Sequence, residues 1–238
     1  MKPNDNNCGV LYMVWGNSHD HLLERSMASL KEFHPSLPVH VHRVDATGED
    51  VTSAVMLLHK TRMAEISPFK TTLFLDADTV VLGSLDYGFE KARQFGLACC
   101  ICECPWARRY NGLQFSGDLI EYNTGVLFFT ESAQPLMYMW ERLARTVDSS
   151  VHFDSSNGQI NTMQHNDQAS FARAVEMTGC NPFVLPLNWN FRPKWHRSFF
   201  GPIKIWHDTS QPIPELAEIS LNQSRNDTIV TYVYLKAD

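Results

Sequence analysis

Apolar residues along this chain fall into short runs between polar breaks, and the length and spacing of each run separate strand from helix. Val10-Leu11-Tyr12-Met13-Val14-Trp15 is a continuous apolar run, as in a strand buried on both faces of a parallel sheet. Gly16-Asn17-Ser18 breaks it. From about His19 to Phe33 the apolar positions Leu22, Leu23, Met27 and Leu30 then recur at helical spacing. After Pro35 and Pro38, Val39 to Val44 reads as a second strand, about Thr52 to Ile66 as a helix, and Thr71 to Leu75 as a third strand. This β-α-β-α-β alternation implies a mostly parallel sheet flanked by helices, with right-handed crossovers and the ends of the first and third strands on one rim.

Beyond the third strand, a helical stretch around Asp86 to Gln94 leads to the cysteine-rich strand that starts at Leu97. Pro105 to Gly117 is irregular, basic and aromatic, with Arg108, Arg109 and Tyr110: either an ordered loop over an anionic substrate or a solvated surface loop. Glu121 to Phe129 reads as a polar turn entering an apolar strand. There Asn123 would offer an amide to a hydroxylated ligand, and Gly125 would admit close backbone approach. A helix is predicted from about Pro135 to Val147, and Asp148 to Gln164, polar and without periodicity, reads as a long loop of the kind that lids a site. Asn166-Asp167-Gln168 opens a helix with Phe171, Ala172 and Val175 on its apolar face, so Asn166 or Asp167 is also a simple N-cap candidate. Two short apolar segments, Phe183 to Phe191 and Ile203 to Asp208, close the pattern within one α/β domain over residues 1–238.

The chemistry concentrates where the third strand stops. Asp76 and Asp78 follow Leu75 one residue apart, and on an extended backbone they point the same way across the small Ala77. Two converging carboxylates at the carboxyl end of a strand suit a divalent metal, although an Asp-x-Asp also occurs in solvated turns. His207 ends a later alternating strand in the same manner, and histidine is the commonest metal-binding side chain. A nucleotide lying along the rim would meet Val14, Trp15, Gly16 and Asn17. No Gly-x-Gly-x-x-Gly and no Walker lysine loop follows the first strand, so its phosphates must be held otherwise.

Composition narrows the classes. The 238 residues are 44% hydrophobic, enough for a sizeable core, and the net charge of -6 argues against nonspecific nucleic-acid binding. No stretch approaches a transmembrane helix and the opening residues lack the apolar core of a signal peptide, so a soluble, cytoplasmic protein is expected. Cys99, Cys100, Cys102 and Cys104 are too close along one strand for a zinc knuckle and read as small buried thiols.

Four blocks carry a resemblance: Phe74-Leu75-Asp76-Ala77-Asp78-Thr79, Tyr122-Asn123-Thr124-Gly125-Val126, Asn166-Asp167-Gln168 and Ile203-Lys204-Ile205-Trp206-His207. In this order they resemble the Asp-x-Asp, Asn-(small)-Gly-Val, Asp-Gln and Ile-x-His blocks of the retaining glycosyltransferases, the glycogenin-like and lipopolysaccharide galactosyl- and glucosyltransferase group called glycosyltransferase family 8. The resemblance implies a GT-A fold, a nucleotide-sugar donor (usually a UDP-sugar), and Mn²⁺ or Mg²⁺ held by Asp76, Asp78 and His207. It also implies donor contact by Lys60, sixteen residues before Asp76. Asn123, Thr124, Gly125, Asp167 and Gln168 would line the sugar, with Glu103 a looser match. The Gly-x-x-Lys-Pro-Trp that usually follows the histidine is replaced by Asp208-Thr209-Ser210-Gln211-Pro212. Its phosphate-gripping lysine is absent, so either Lys194, Arg197 or Lys204 substitutes or the grip differs.

A mixed oxygen and nitrogen shell suits Mn²⁺ better than Mg²⁺. Gln168, the implied residue near the reacting face, is an amide and a poor nucleophile, which favours same-face attack with Gln168 as an electrostatic stabiliser. The alternatives are an inverting enzyme using Glu103, Glu121 or Asp154 as base, a sugar nucleotidyltransferase, and a sugar-nucleotide binder without transfer activity. The acceptor, whether glycan, lipid-linked or protein, stays open.

Overall fold

The computed structural model describes residues 7–44, 53–102, 119–147, 151–154, 160–163, 167–193, 196, 198–200, 202–208 and 231–233. In chain order the elements are β1 (Cys8–Trp15), α1 (Asp20–Phe33), β2 (Val39–Val44), α2 (Ser53–Thr61), α3 (Met63–Ile66), β3 (Thr71–Leu75), β4 (Thr79–Val81), α4 (Asp86–Phe95), β5 (Leu97–Ile101) and β6 (Tyr122–Thr130). They continue as α5 (Gln134–Ala144), β7 (Val151–Asp154), β8 (Ile160–Met163), α6 (Asp167–Thr178), β9 (Phe183–Leu185), β10 (Ser198–Phe200), β11 (Ile205–His207) and β12 (Thr231–Val233).

Six strands form the central sheet in the order β2-β1-β3-β6-β5-β9. β1 runs parallel to β2 and β3, and β5 parallel to β9, while β6 is antiparallel to both of its neighbours. Five strands therefore share one direction and β6 is reversed. The two-residue period of a strand divides the core between the faces. Val10, Tyr12, Leu73, Leu75 and Phe128 pack with Leu23 and Leu30 of α1 and Phe89 of α4. Leu11, Met13, Phe74, Leu127 and Phe129 pack with Trp140 of α5 and Phe171 of α6. Trp140 is fully buried and its indole N–H donates to the Asp167 carbonyl at 3.1 Å, so the core also anchors the start of α6. Truncating such a side chain typically costs about 3–5 kcal/mol.

Local chemistry explains where the structure departs from the sequence pattern. Asn123-Thr124-Gly125 has turn-like composition but lies inside β6, whose register sets Leu75 against Val126; one residue on, the Asp76 N–H bonds the Gly125 carbonyl at 2.8 Å. The predicted loop from Asp148 to Gln164 contains an antiparallel hairpin of β7 and β8. The helix expected over Thr52 to Ile66 breaks at Arg62, whose guanidinium pairs with Glu65. Thr79 to Val81, for which the sequence pattern predicts no separate element, is a short strand antiparallel to β11. Cys99, Cys100 and Cys102 pack as small buried side chains, as their sequence context predicts. No helix among the described residues is long and apolar enough to cross a membrane.

Candidate active site

Two ladders assemble the site at the carboxyl end of β3. The β4 and β11 pairing sets His207 against Thr79, and the Asp208 N–H reaches the Asp78 carbonyl at 3.2 Å, so backbone hydrogen bonds deliver the distant histidine to the aspartates. On the other side, the pairing of β3 with β6 brings Gly125 beside Asp76. A buried hydroxyl chain fixes the aspartate turn from below. Tyr12 Oη lies 2.9 Å from Ser26 Oγ, Ser26 Oγ 3.0 Å from Thr79 Oγ1, and Thr79 donates to the Asp76 carbonyl at 2.8 Å.

Asp76, Asp78 and His207 each offer one ligand atom, all within 4.8 Å of one another, the one such group found among the described residues. His207 Nε2 is 3.2 Å from Asp78 Oδ1 and 3.8 Å from Asp76 Oδ2, and the side chains are 10%, 25% and 29% exposed, so solvent reaches them. A Cβ on Gly125 would sit 2.4 Å from His207 Cε1 and 2.6 Å from Asp76 Oδ2, so the missing side chain is what leaves room for the cluster. Two hard carboxylates and one imidazole within this span fit a divalent ion.

Behind the cluster lies a second set of polar contacts. Lys60 Nζ is 3.1 Å from Asp76 Oδ1 and 2.9 Å from Asp167 Oδ2, and Thr124 Oγ1 donates to the same Asp167 oxygen. His207 Nδ1 is 2.8 Å from Asn190 Oδ1, Asn190 Nδ2 donates to Asn123 Oδ1 at 2.8 Å, and Asn123 Nδ2 donates to Gln168 Oε1 at 3.3 Å. The side chains expected to line a sugar and those expected to hold a metal therefore form one connected network.

Its charges are shifted accordingly. Burial pushes the Asp76 carboxyl up, and the adjacent Asp78 adds to this against the pull of Lys60. Burial acts upward on Asp78 too, but the charge and hydrogen bond of His207 outweigh it and hold Asp78 below the usual carboxylate range. Desolvation disfavours the Lys60 ammonium, yet Asp167 and Asp76 together raise its pKa above the ordinary lysine value. Burial also opposes ionisation of Asp167, and Lys60 and Thr124 overcome it, leaving that pKa lowered.

Asp167 is thus more than a helix-opening residue, since its carboxylate is committed to Lys60 and Thr124. Its depressed folded-state pKa makes a stability contribution that is present above the unfolded value near 3.9 and is lost as pH falls through the folded value. Asp167→Asn should therefore cost about 1.5–3 kcal/mol at neutral pH, the range for a hydrogen bond to a charged group, and less at an acidic pH below the folded value. Denaturant titrations of both proteins at the two pH values check this.

The remaining expected residues are placed as follows. Val14 and Trp15 end β1 on the same edge as Asp76, and Gly16, at φ 56°, turns the chain there. Arg43, which sequence reasoning passed over, donates to Gly16 O, Asn17 Oδ1 and Asp20 Oδ1 and braces this turn. Lys204 packs along Gly83 after β4, and burial lowers its pKa. Glu103, Arg108, Arg109, Tyr110, Lys194 and Arg197 lie outside the described residues. Asn190 was also missed, and the only hint of it was its place, with Asn188, among the apolar residues of Phe183 to Phe191.

No protein-family model matches the chain, and no curated protein does. Solved structures do. Mouse xyloside xylosyltransferase 1, in its apo form, superposes with a TM-score of 0.57 at 15% identity, over 87% of this chain and 99% of that one. The galactosyltransferase LgtC, in complex with donor and acceptor sugar analogues, superposes with a TM-score of 0.57 at 14% identity, over 92% of this chain and 97% of that one. The bifunctional glycosyltransferase WbbM gives 0.55 at 9% identity over 89% of this chain and 47% of its own. At these identities the likeness establishes the fold, which is the GT-A α/β arrangement of these glycosyltransferases.

Proposed function

We propose that this chain, as one domain over residues 1–238, is a metal-dependent glycosyltransferase. It moves a sugar from a nucleotide-diphosphate donor, a UDP-sugar in the favoured case, to a hydroxyl acceptor with retention of anomeric configuration. The observation that carries the reading is the convergence of Asp76, Asp78 and His207 within 4.8 Å at the carboxyl edge of a GT-A sheet. These three would hold the ion, Mn²⁺ in preference to Mg²⁺. When bound, it supplies Lewis-acid neutralisation of the charge that grows on the diphosphate leaving group, worth several kcal/mol.

The chain's own groups do the rest. Val14, Trp15, Gly16, Asn17 and Ala77 line the edge where the nucleotide lies, and Lys60 supplies fixed positive charge between the metal ligands and the sugar pocket. Asn123, Thr124, Gly125, Asp167 and Gln168 surround the sugar, with Glu103 as a further candidate. Retention is supported by what lies at hand for the reacting carbon. Asp167 is tied to Lys60 and Thr124, and Gln168 is an amide, so neither is a free nucleophile. The acceptor hydroxyl then attacks from the face the diphosphate leaves, the leaving phosphate oxygen takes its proton, and the Gln168 amide oxygen faces the developing oxocarbenium charge.

The test needs no acceptor to begin. A panel of UDP- and GDP-sugars is titrated with and without Mn²⁺, and one donor should bind only with metal and add about 2.7 kcal/mol of stability at a hundred times its dissociation constant. Proton NMR of early product from an α-linked donor should then show an α-linkage. A β-linked product would make the enzyme inverting and turn attention to Glu103, Glu121 and Asp154 as bases.

A further inference from the structure

The chain of amides behind the metal ligands starts from a group whose role in hydrogen bonding cannot be inverted. The Gly125 backbone N–H can only donate, and it lies 2.9 Å from Asn123 Oδ1, so Asn123 must present its oxygen there and its NH₂ to Gln168 Oε1. Asn190 approaches the same Asn123 oxygen at 2.8 Å, and therefore must present its own NH₂. That leaves Asn190 Oδ1, an acceptor, 2.8 Å from His207 Nδ1. Nδ1 must then carry a proton whether the ring is neutral or, paired with Asp78, charged, so Nε2, which faces Asp78 and Asp76, is the nitrogen left to offer a cation its lone pair. Asn190 is 1% exposed, so bulk solvent does not compete for its contacts in the folded chain.

We propose that Asn190 is a positioning residue that holds His207 in its metal-binding tautomer and, through Asn123, sets the direction of the Gln168 amide. The inference rests on the metal reading given above, and it adds a residue outside all four sequence blocks. It also assigns a second duty to Gly125: the glycine clears space for His207 and, by its N–H, sets the polarity of every amide between the sugar pocket and the metal.

The experiment measures Mn²⁺ affinity by calorimetry, and melting temperature alongside, for the wild-type chain, Asp78→Ala, Asn190→Ala and Asn190→Asp. Removing an outer-shell partner of a ligating histidine typically costs 10–100-fold in metal affinity, so Asn190→Ala should lose about that much. Asn190→Asp keeps an acceptor for the Nδ1–H, now charge-assisted, and should bind Mn²⁺ close to wild type while losing the donor to Asn123. A purely structural role predicts instead that Asn190→Ala melts earlier and its folded molecules bind Mn²⁺ normally. That result, with Asp78→Ala unable to bind, overturns the inference and leaves the metal site standing. If wild type itself takes no Mn²⁺, both readings fall. Should Asn190→Ala not fold, Asn190→Leu, which fills the space without an acceptor, takes its place: lost affinity there with affinity retained in Asn190→Asp supports the acceptor role, and affinity retained in both overturns it.

Discussion

Asp78→Ala is expected to abolish Mn²⁺-dependent nucleotide-sugar binding and to slow transfer by on the order of a thousandfold, about 4 kcal/mol of lost charge stabilisation at 1.36 kcal/mol per decade. Its carboxylate is 3.2 Å from His207 Nε2, at the centre of the triad, and neither Asp76 nor His207 alone offers a converging shell. The fold should survive the change. Asp78 sits in the turn between β3 and β4, and the backbone carbonyl that receives the Asp208 N–H is untouched. The lost pairing with His207 is worth about 1 kcal/mol, partly offset by removing a like charge beside Asp76, so the melting temperature should fall by only a few degrees. Calorimetry with scanning melts checks both halves. Undiminished, still metal-requiring donor affinity in the variant would show that the aspartate pair is not the ion site.

Gly125→Ala should be nearly as damaging through one methyl group. The added Cβ would overlap His207 Cε1 at 2.4 Å and Asp76 Oδ2 at 2.6 Å, well inside ordinary contact, and it meets the ring and carboxylate the site depends on. Either the histidine rotates away or β6 shifts, and overpacking of this kind costs about 1–3 kcal/mol. Mn²⁺ binding should drop below detection while the protein remains folded. Gly179→Ala is the natural control, since Gly179 has φ +64° but no atom within 4 Å of an added Cβ. It should cost about 1 kcal/mol of backbone strain and leave metal affinity unchanged.

These two residues also show what could be read from sequence. Asp76 and Asp78 stood out because five buried residues, Thr71 to Leu75, precede them, and a carboxylate pair at the end of such a strand is conspicuous. β1 and β3 are placed closely for the same reason, since continuous apolar runs report burial on both faces, whereas β2 shows instead an alternation of valines with polar residues. Gly125 was recognised but misplaced, because asparagine, threonine and glycine in succession have turn chemistry, and they are held extended by tertiary bonds: the Asp76 N–H to the Gly125 carbonyl, and ladder pairs at Tyr122 and Val126 on either side. The β7 and β8 hairpin was missed because Val151 to Met163 shows no clean alternation. Asn190 and the Lys60 bridge between Asp76 and Asp167 are tertiary facts. Nothing local marks a side chain whose partners are supplied by other strands, and the resemblance named Lys60 without predicting that it joins the two carboxylates.

The β4 and β11 ladder has a consequence for how the site comes into being. In the unfolded chain Asp76 and Asp78 are already neighbours, but their third partner arrives only when the stretch from Asp78 to His207 has been closed into a loop. Such closure costs on the order of 4 kcal/mol in chain entropy, and non-local pairings of this kind form slowly. On the proposed metal reading, the three-ligand shell is complete only once β11 has paired with β4, so an ion would stabilise that pairing rather than the aspartate strand alone.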